Sequence, residues 1–188
     1  MTPAQVTPGA TPNRVWGRAL DGLKSRHDIV VATKAGSYRD KRGRRRVDFS
    51  PSGVRRTVEA SLVRLGLDAI PLLQLHGPEI ADLTDGLLET LTRLRDQGKI
   101  RHLSVNSFDM DVVEHVMTVP LFGAVMIDYN ILRPEREPII AMLAARNFGI
   151  LAGMALAGGL YRKDRFRIRR IQDVWYLARA WKIIGPIL

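Results

Sequence analysis

The sequence predicts an α/β fold built on a parallel sheet, and three observations point there. Short apolar runs of strand length alternate with segments whose apolar residues recur at helical spacing. The gaps between successive runs are long enough for a crossover helix, which parallel strands require and hairpins do not. With 188 residues, 46% hydrophobic and 26% charged, the chain can also bury one substantial core.

In chain order, the first dozen residues, rich in threonine and proline, read as irregular, and Asn13–Leu23 reads as a helix. Ile29–Ala32 is a β-branched run and the first expected strand. Ser50-Pro51 opens a helix: serine can accept from free amides and proline suits the first helical position. Val54, Val58, Leu62 and Leu65 form its apolar stripe, and Gly66 is a good stop. Leu72–Leu75 is the next strand. Thr84 then caps a helix bearing Leu87, Leu88, Leu91 and Leu94, ended by Gly98. Ile100–Val105 reads as a strand and Val112, Val113 and Val116 as a helix. Ala124–Tyr129 is a strand, followed by a helix with Ile139, Ile140 and Leu143. Ile150–Ala152 is the fifth strand, and Val174, Leu177, Ala178 and Trp181 mark a last helix, with Trp175 and Tyr176 as its packing. A doubly wound open sheet and a closed barrel both fit this pattern. No glycine-rich dinucleotide fingerprint follows the first strand, which weighs against the Rossmann version.

Composition narrows the function. The chain has no cysteine, so disulfide and thiolate chemistry are excluded, and a cytoplasmic protein is expected. No apolar run reaches the ~20 residues of a membrane helix, and the N-terminus lacks the pattern of a secretory leader. Net charge is +10, concentrated in Lys41–Arg46 and Tyr161–Arg170. Without a nucleic-acid motif these blocks read as solvated loops, with Arg44–Arg46 able to attract a phosphate or carboxylate.

Two polar residues stand out. Lys34 and His76 each end an apolar run of strand length that leads into a helix. Polar groups at the C-terminal ends of successive parallel strands are where α/β folds place catalytic chemistry. Asp128 and Tyr129 end another strand, and alternation turns only one of them inward.

Five segments, in order, resemble the aldo-keto reductase family. They are Val31–Lys34; Arg55–Asp68 with Leu72–Pro78; Leu94–His102; Ile127–Asn130; and Leu156–Leu160. The resemblance implies one domain over residues 1–188, an incomplete (β/α)8 TIM-type barrel of about five to six βα units. The first strand, most of the second and the eighth strand have no counterpart. It further implies NADPH-dependent carbonyl reduction of a small-molecule substrate. In that chemistry a tyrosine donates a proton, a lysine paired with an aspartate tunes the tyrosine, and a histidine orients the substrate. Carried over, Lys34 and His76 are the catalytic residues. The cofactor floor falls on Asn106, Ser107, Met126, Leu156 and Gly158. No metal is implied.

The chain also departs from the family pattern. Counting back without gaps places Thr2 and Thr7 where the aspartate and tyrosine belong, and a threonine hydroxyl is a far weaker acid than a phenol. Tyr38 is the nearest tyrosine to the lysine strand. Asn106-Ser107 inverts the usual serine-asparagine order, Met126 replaces a common glutamine, and the segment that grips the adenosine phosphate is absent. Two alternatives follow: a non-redox lyase, dehydratase or isomerase using Lys34 and His76, or a non-catalytic barrel remnant. In each case a partner chain or second copy is expected over the open sheet edges, with no nucleic acid and no membrane.

Overall fold

A computed structural model describes residues 29–39, 42–157 and 174. Five parallel strands form one sheet in the order β1 (Ala32–Ala35), β4 (Ile70–His76), β5 (Ile100–Asn106), β6 (Ala124–Asp128), β7 (Gly149–Gly153). Strands β2 (Ser37–Arg39) and β3 (Arg45–Val47) make a separate antiparallel hairpin between β1 and the first crossover helix. Helices α1 (Pro51–Leu65), α2 (Asp85–Asp96), α3 (Met110–Val116) and α4 (Glu137–Ala145) make the crossovers. The sheet is therefore parallel as expected, and among the described residues β1 and β7 are its edges.

The helices start and stop where their end residues dictate. Ser50 Oγ accepts from the Gly53 amide at 3.1 Å and Pro51 takes the first helical position. Gly66, at φ 62°, closes α1 in the left-handed conformation that glycine adopts without strain. Thr84 caps α2 through the Leu87 amide at 3.3 Å. Asp109 caps α3 through the Asp111 amide at 3.0 Å.

The two faces of the sheet differ in kind. Ala35, Leu73, Leu75, Leu103, Val105, Val125 and Ile127 point to the helices. There they meet Val54 and Val58 of α1, Leu87 and Leu91 of α2, the valines of α3 and Leu143 of α4 in one core. Each fully buried side chain of this size contributes about 1.5–3 kcal/mol of transfer free energy. The alternate residues form rows across the other, inner face. One row runs Lys34, Gln74, Ser104, Ala124, Gly149; the next, one step toward the strand ends, runs His76, Asn106, Met126, Leu151.

Two expectations are corrected. The first strand is Ala32–Ala35 rather than Ile29–Ala32. Ile29 and Val30 are exposed, because pairing with β4 begins at Ala32 opposite Leu72 and only Thr33 and Ala35 reach the core side. The Lys41–Arg46 block is not simply a solvated loop, since Arg45 and Arg46 belong to β3. It pairs Ser37 with Val47 and Arg39 with Arg45, and Gly43 at φ 76° helps turn the chain. The other strands differ only by a residue or two at their ends. The helix expected at Asn13–Leu23, the basic block Tyr161–Arg170 and most of the last helix lie outside the described residues; Val174 is helical and exposed.

Candidate active site

All five parallel strands point their C-terminal ends the same way, so one rim collects their last residues. Lys34 and His76 sit there on adjacent strands, Lys34 opposite Gln74 and His76 two residues further along β4 on the same face. The two are near enough for the Lys34 charge to act on the His76 imidazole. Lys34 remains reachable from solvent, yet surrounding protein withdraws enough water to lower its pKa below the ordinary 10.5. His76 is half-buried and held below 6.5, first by burial, then by the positive charges of Lys34 and Arg45. Its imidazole is therefore more neutral near pH 7 than an ordinary histidine.

Beside His76 stands Asn106, 7% exposed and next in the same row. Its backbone carbonyl accepts from Gly77 at 2.8 Å. Ser107 faces the loop beyond the strand: its hydroxyl accepts from the Asp109 amide at 3.2 Å. Met126 continues the row, and its backbone carbonyl accepts from Ser107 at 3.1 Å. Gly153 on β7 lies close to it, so that a Cβ there would stand 3.2 Å from Met126 Cε. Leu156 lies past β7 in a turn and is 74% exposed, away from that row; Gly158 lies outside the described residues.

Below this rim are two unexpected polar atoms. Gln74 Nε2 and Ser104 Oγ, on residues 3% and 0% exposed, have no hydrogen-bond partner among the described residues. Buried polar groups are almost always satisfied, so these orphans call for a ligand group or ordered water. Together with the Asn106 carboxamide and the thioether of Met126 in the next row, they fit the amide and flat ring of a nicotinamide.

Two groups named in the sequence gain a definite place only in the structure. The first is Arg45: a Cβ placed on Gly77 would lie 3.2 Å from its Nη2, which puts the guanidinium against the residue after His76. The signal is weak, a glycine inside a basic run flanked by the β-formers Tyr38 and Val47. The second is the environment of Asp128, which is 5% exposed. Arg133 Nε donates to its Oδ2 at 2.9 Å, Arg136 Nε donates to its Oδ1 at 3.1 Å, and Arg136 Nη2 reaches the Phe108 carbonyl at 3.0 Å. Alternation resolves the pair as anticipated: Asp128 turns in, and the Tyr129 hydroxyl goes out to Glu137 Oε1 at 3.4 Å. No cluster of histidine and carboxylate suited to a metal occurs among the described residues.

A parallel α/β sheet with its polar groups gathered at the C-terminal strand ends is the working face of a barrel-type enzyme fold. Comparison with known proteins makes the assignment specific. The family model described as "Aldo/keto reductase family" matches residues 10–175, and the chain belongs to that family. It is 28% identical over 161 residues to the L-galactose dehydrogenase of Arabidopsis thaliana, covering 81% of this chain and 49% of that protein. It is 31% identical over 145 residues to the NADH-specific methylglyoxal reductase of Escherichia coli (strain K12), covering 71% of this chain and 44% of that protein. The structure of the glycerol dehydrogenase AKR11B4 from Gluconobacter oxydans superposes with a TM-score of 0.73 at 28% identity, over 88% of this chain and 53% of that one. The chain thus spans about half the length of these relatives, and its described residues hold five parallel strands of such a barrel.

Proposed function

We propose that the chain carries the substrate-orienting half of a carbonyl oxidoreductase site dependent on NAD(P)H, with Lys34 and His76 as its catalytic residues. The placement of Lys34 and His76 together at the rim, both with lowered pKa, carries this reading. Family homologues are oxidoreductases, and the notion of a nicotinamide rests on Asn106, Met126 and the orphaned Gln74 and Ser104. NADPH was the expectation from resemblance; the NADH-specific name of one relative leaves the nucleotide to be decided by titration.

When bound, the nicotinamide supplies the hydride that adds to the carbonyl carbon. The residues of this chain handle the oxygen. Neutral His76 donates a hydrogen bond to it and sets its direction. Lys34 places positive charge where negative charge develops, and its desolvated ammonium is a better acid than an ordinary lysine. We assign proton delivery to Lys34 Nζ, which is reprotonated from solvent. The product is the alcohol and oxidised nucleotide. Asn106 and Met126 hold the ring, while Ser107, Leu156 and Gly158 are assigned to the surrounding cofactor contacts. The protein works in the cytoplasm, and a second chain or copy covers the β1 and β7 edges.

The test is reduction of a panel of aldehydes by NADPH and by NADH, with nucleotide binding followed by fluorescence. Lys34→Met is expected to lower kcat by about 100-fold or more and leave nucleotide binding intact. Turnover unchanged in both Lys34→Met and His76→Ala overturns the reading. Trapping of an aldehyde on Lys34 by borohydride, with no nucleotide needed for turnover, reassigns the pair to Schiff-base chemistry.

A further inference from the structure

The β2–β3 hairpin grows directly from the end of the lysine strand. Gly36 links the two at φ 93°, its carbonyl accepts from the Asp48 amide at 2.7 Å, and the Phe49 ring packs so tightly on it that no Cβ could be added. That root settles where β3 lies. Arg45 pairs with Arg39 across the hairpin, and its Nε donates to Ser37 Oγ at 3.0 Å. With Nε so used, the two terminal nitrogens remain, and Nη2 lies over Gly77. Arg45 therefore reaches from Ser37, just past β1, to Gly77, just past β4, near enough for its charge to act on His76.

The charge there is one-sided. Among the described residues no carboxylate pairs with Lys34 or Arg45, although six ion-pair contacts occur elsewhere in the structure. A guanidinium with one edge anchored presents its other nitrogens as a planar fork, the shape that matches carboxylate and phosphate oxygens. Close to a site where a carbonyl must be oriented, such a fork selects for an anionic group a short distance from the reacting carbon.

We propose that Arg45 is a specificity-determining residue which binds the carboxylate or phosphate of a short anionic carbonyl substrate and holds its carbonyl toward Lys34 and His76. This rests on the reductase reading for the reaction, but its binding half stands by itself.

The experiment uses the whole protein and matched probes: succinic semialdehyde against butanal for the carboxylate, glycolaldehyde phosphate against glycolaldehyde for the phosphate. The charged member of at least one pair has the lower KM. Arg45→Ala raises that KM about tenfold or more, well beyond any change in kcat or in the neutral probe's KM that follows from easing the charge on His76, and Arg45→Lys recovers part of the loss. Arg46→Ala, the neighbouring cation opposite Tyr38, leaves all four probes unchanged. Equal effects on charged and neutral probes, or none, overturn the proposal, and whichever pair responds identifies the anion. Binding is read separately by the NMR shift of the His76 imidazole on titration with succinate or inorganic phosphate. A shift in the wild type that vanishes in Arg45→Ala supports the proposal, even where no aldehyde is reduced; that result strikes the reductase reading alone. No shift with either anion overturns it.

Discussion

Two corners of the same rim handle charge in opposite ways. At β6, Asp128 is buried between Arg133 and Arg136, and Arg136 also fastens the Phe108 carbonyl of the loop after β5. Every charge there has a partner. At β1 and β4, Lys34, His76 and Arg45 gather with no described carboxylate among them, and the pKa values of Lys34 and His76 are pushed down. The difference separates holding from acting. A satisfied network fixes the shape of the rim, whereas unmatched positive groups are held ready for a negative or developing negative charge.

That contrast can be broken at several points. Lys34→Met is expected to show the largest effect on function, about 100- to 10,000-fold in turnover, with stability altered by no more than about 0.5 kcal/mol. A Lys34→Met protein that unfolds readily would place Lys34 with the structural corner. Asp128→Ala should act the other way, costing about 3–5 kcal/mol in urea unfolding, because it strands two arginines at a buried position. A loss under about 1 kcal/mol would mean that the β6 corner is not the anchor described.

Proton linkage offers a gentler probe. Below pH 6.5 the unfolded chain protonates its histidine, while folded His76 resists because its pKa is lowered. The unfolded state then binds more protons, so His76 makes stability rise as pH climbs through the interval between its lowered pKa and 6.5. Above that interval its contribution is flat. His76→Asn should remove this part of the slope; an unchanged profile would show that the imidazole is not desolvated. The smallest effect belongs to the exposed pair Lys99–Glu59, 3.2 Å apart. Lys99→Ala is expected to cost under about 1 kcal/mol, which would establish that burial, not pairing as such, makes Asp128 costly.

Much of this architecture is legible in the order of the residues. The helices announce themselves through Ser50, Gly66 and Thr84, because capping is local chemistry that neighbouring residues complete. Lys34 and His76 are legible as polar ends of apolar runs, and alternation is enough to turn one of Asp128 and Tyr129 inward. Arg45 is legible only as one of the Arg44–Arg46 cluster able to attract an anion; its strand and its place beside His76 are not. The three residues of β3 are all exposed, so no alternation of polar and apolar distinguishes that strand from a loop. Its importance arises from the hairpin folding back over β4, a contact between residues far apart in sequence. The start of β1 is hard to place for a related reason: Ile29 and Val30 have strand-like side chains, but pairing with β4 determines where the ladder begins. The partners of Asp128 are likewise hidden, since nothing in Arg133–Arg136 says which acid those side chains will meet.

The clamped root at Gly36 has a kinetic consequence. A hairpin pinned there by Phe49 and by the Asp48 amide is held at its base, and Arg45 is expected to stand in place before a ligand arrives. Arrival of an anion is then governed by the long-range field of the rim. Its association rate should fall as ionic strength rises and the Debye length shrinks, with no slow opening phase ahead of binding.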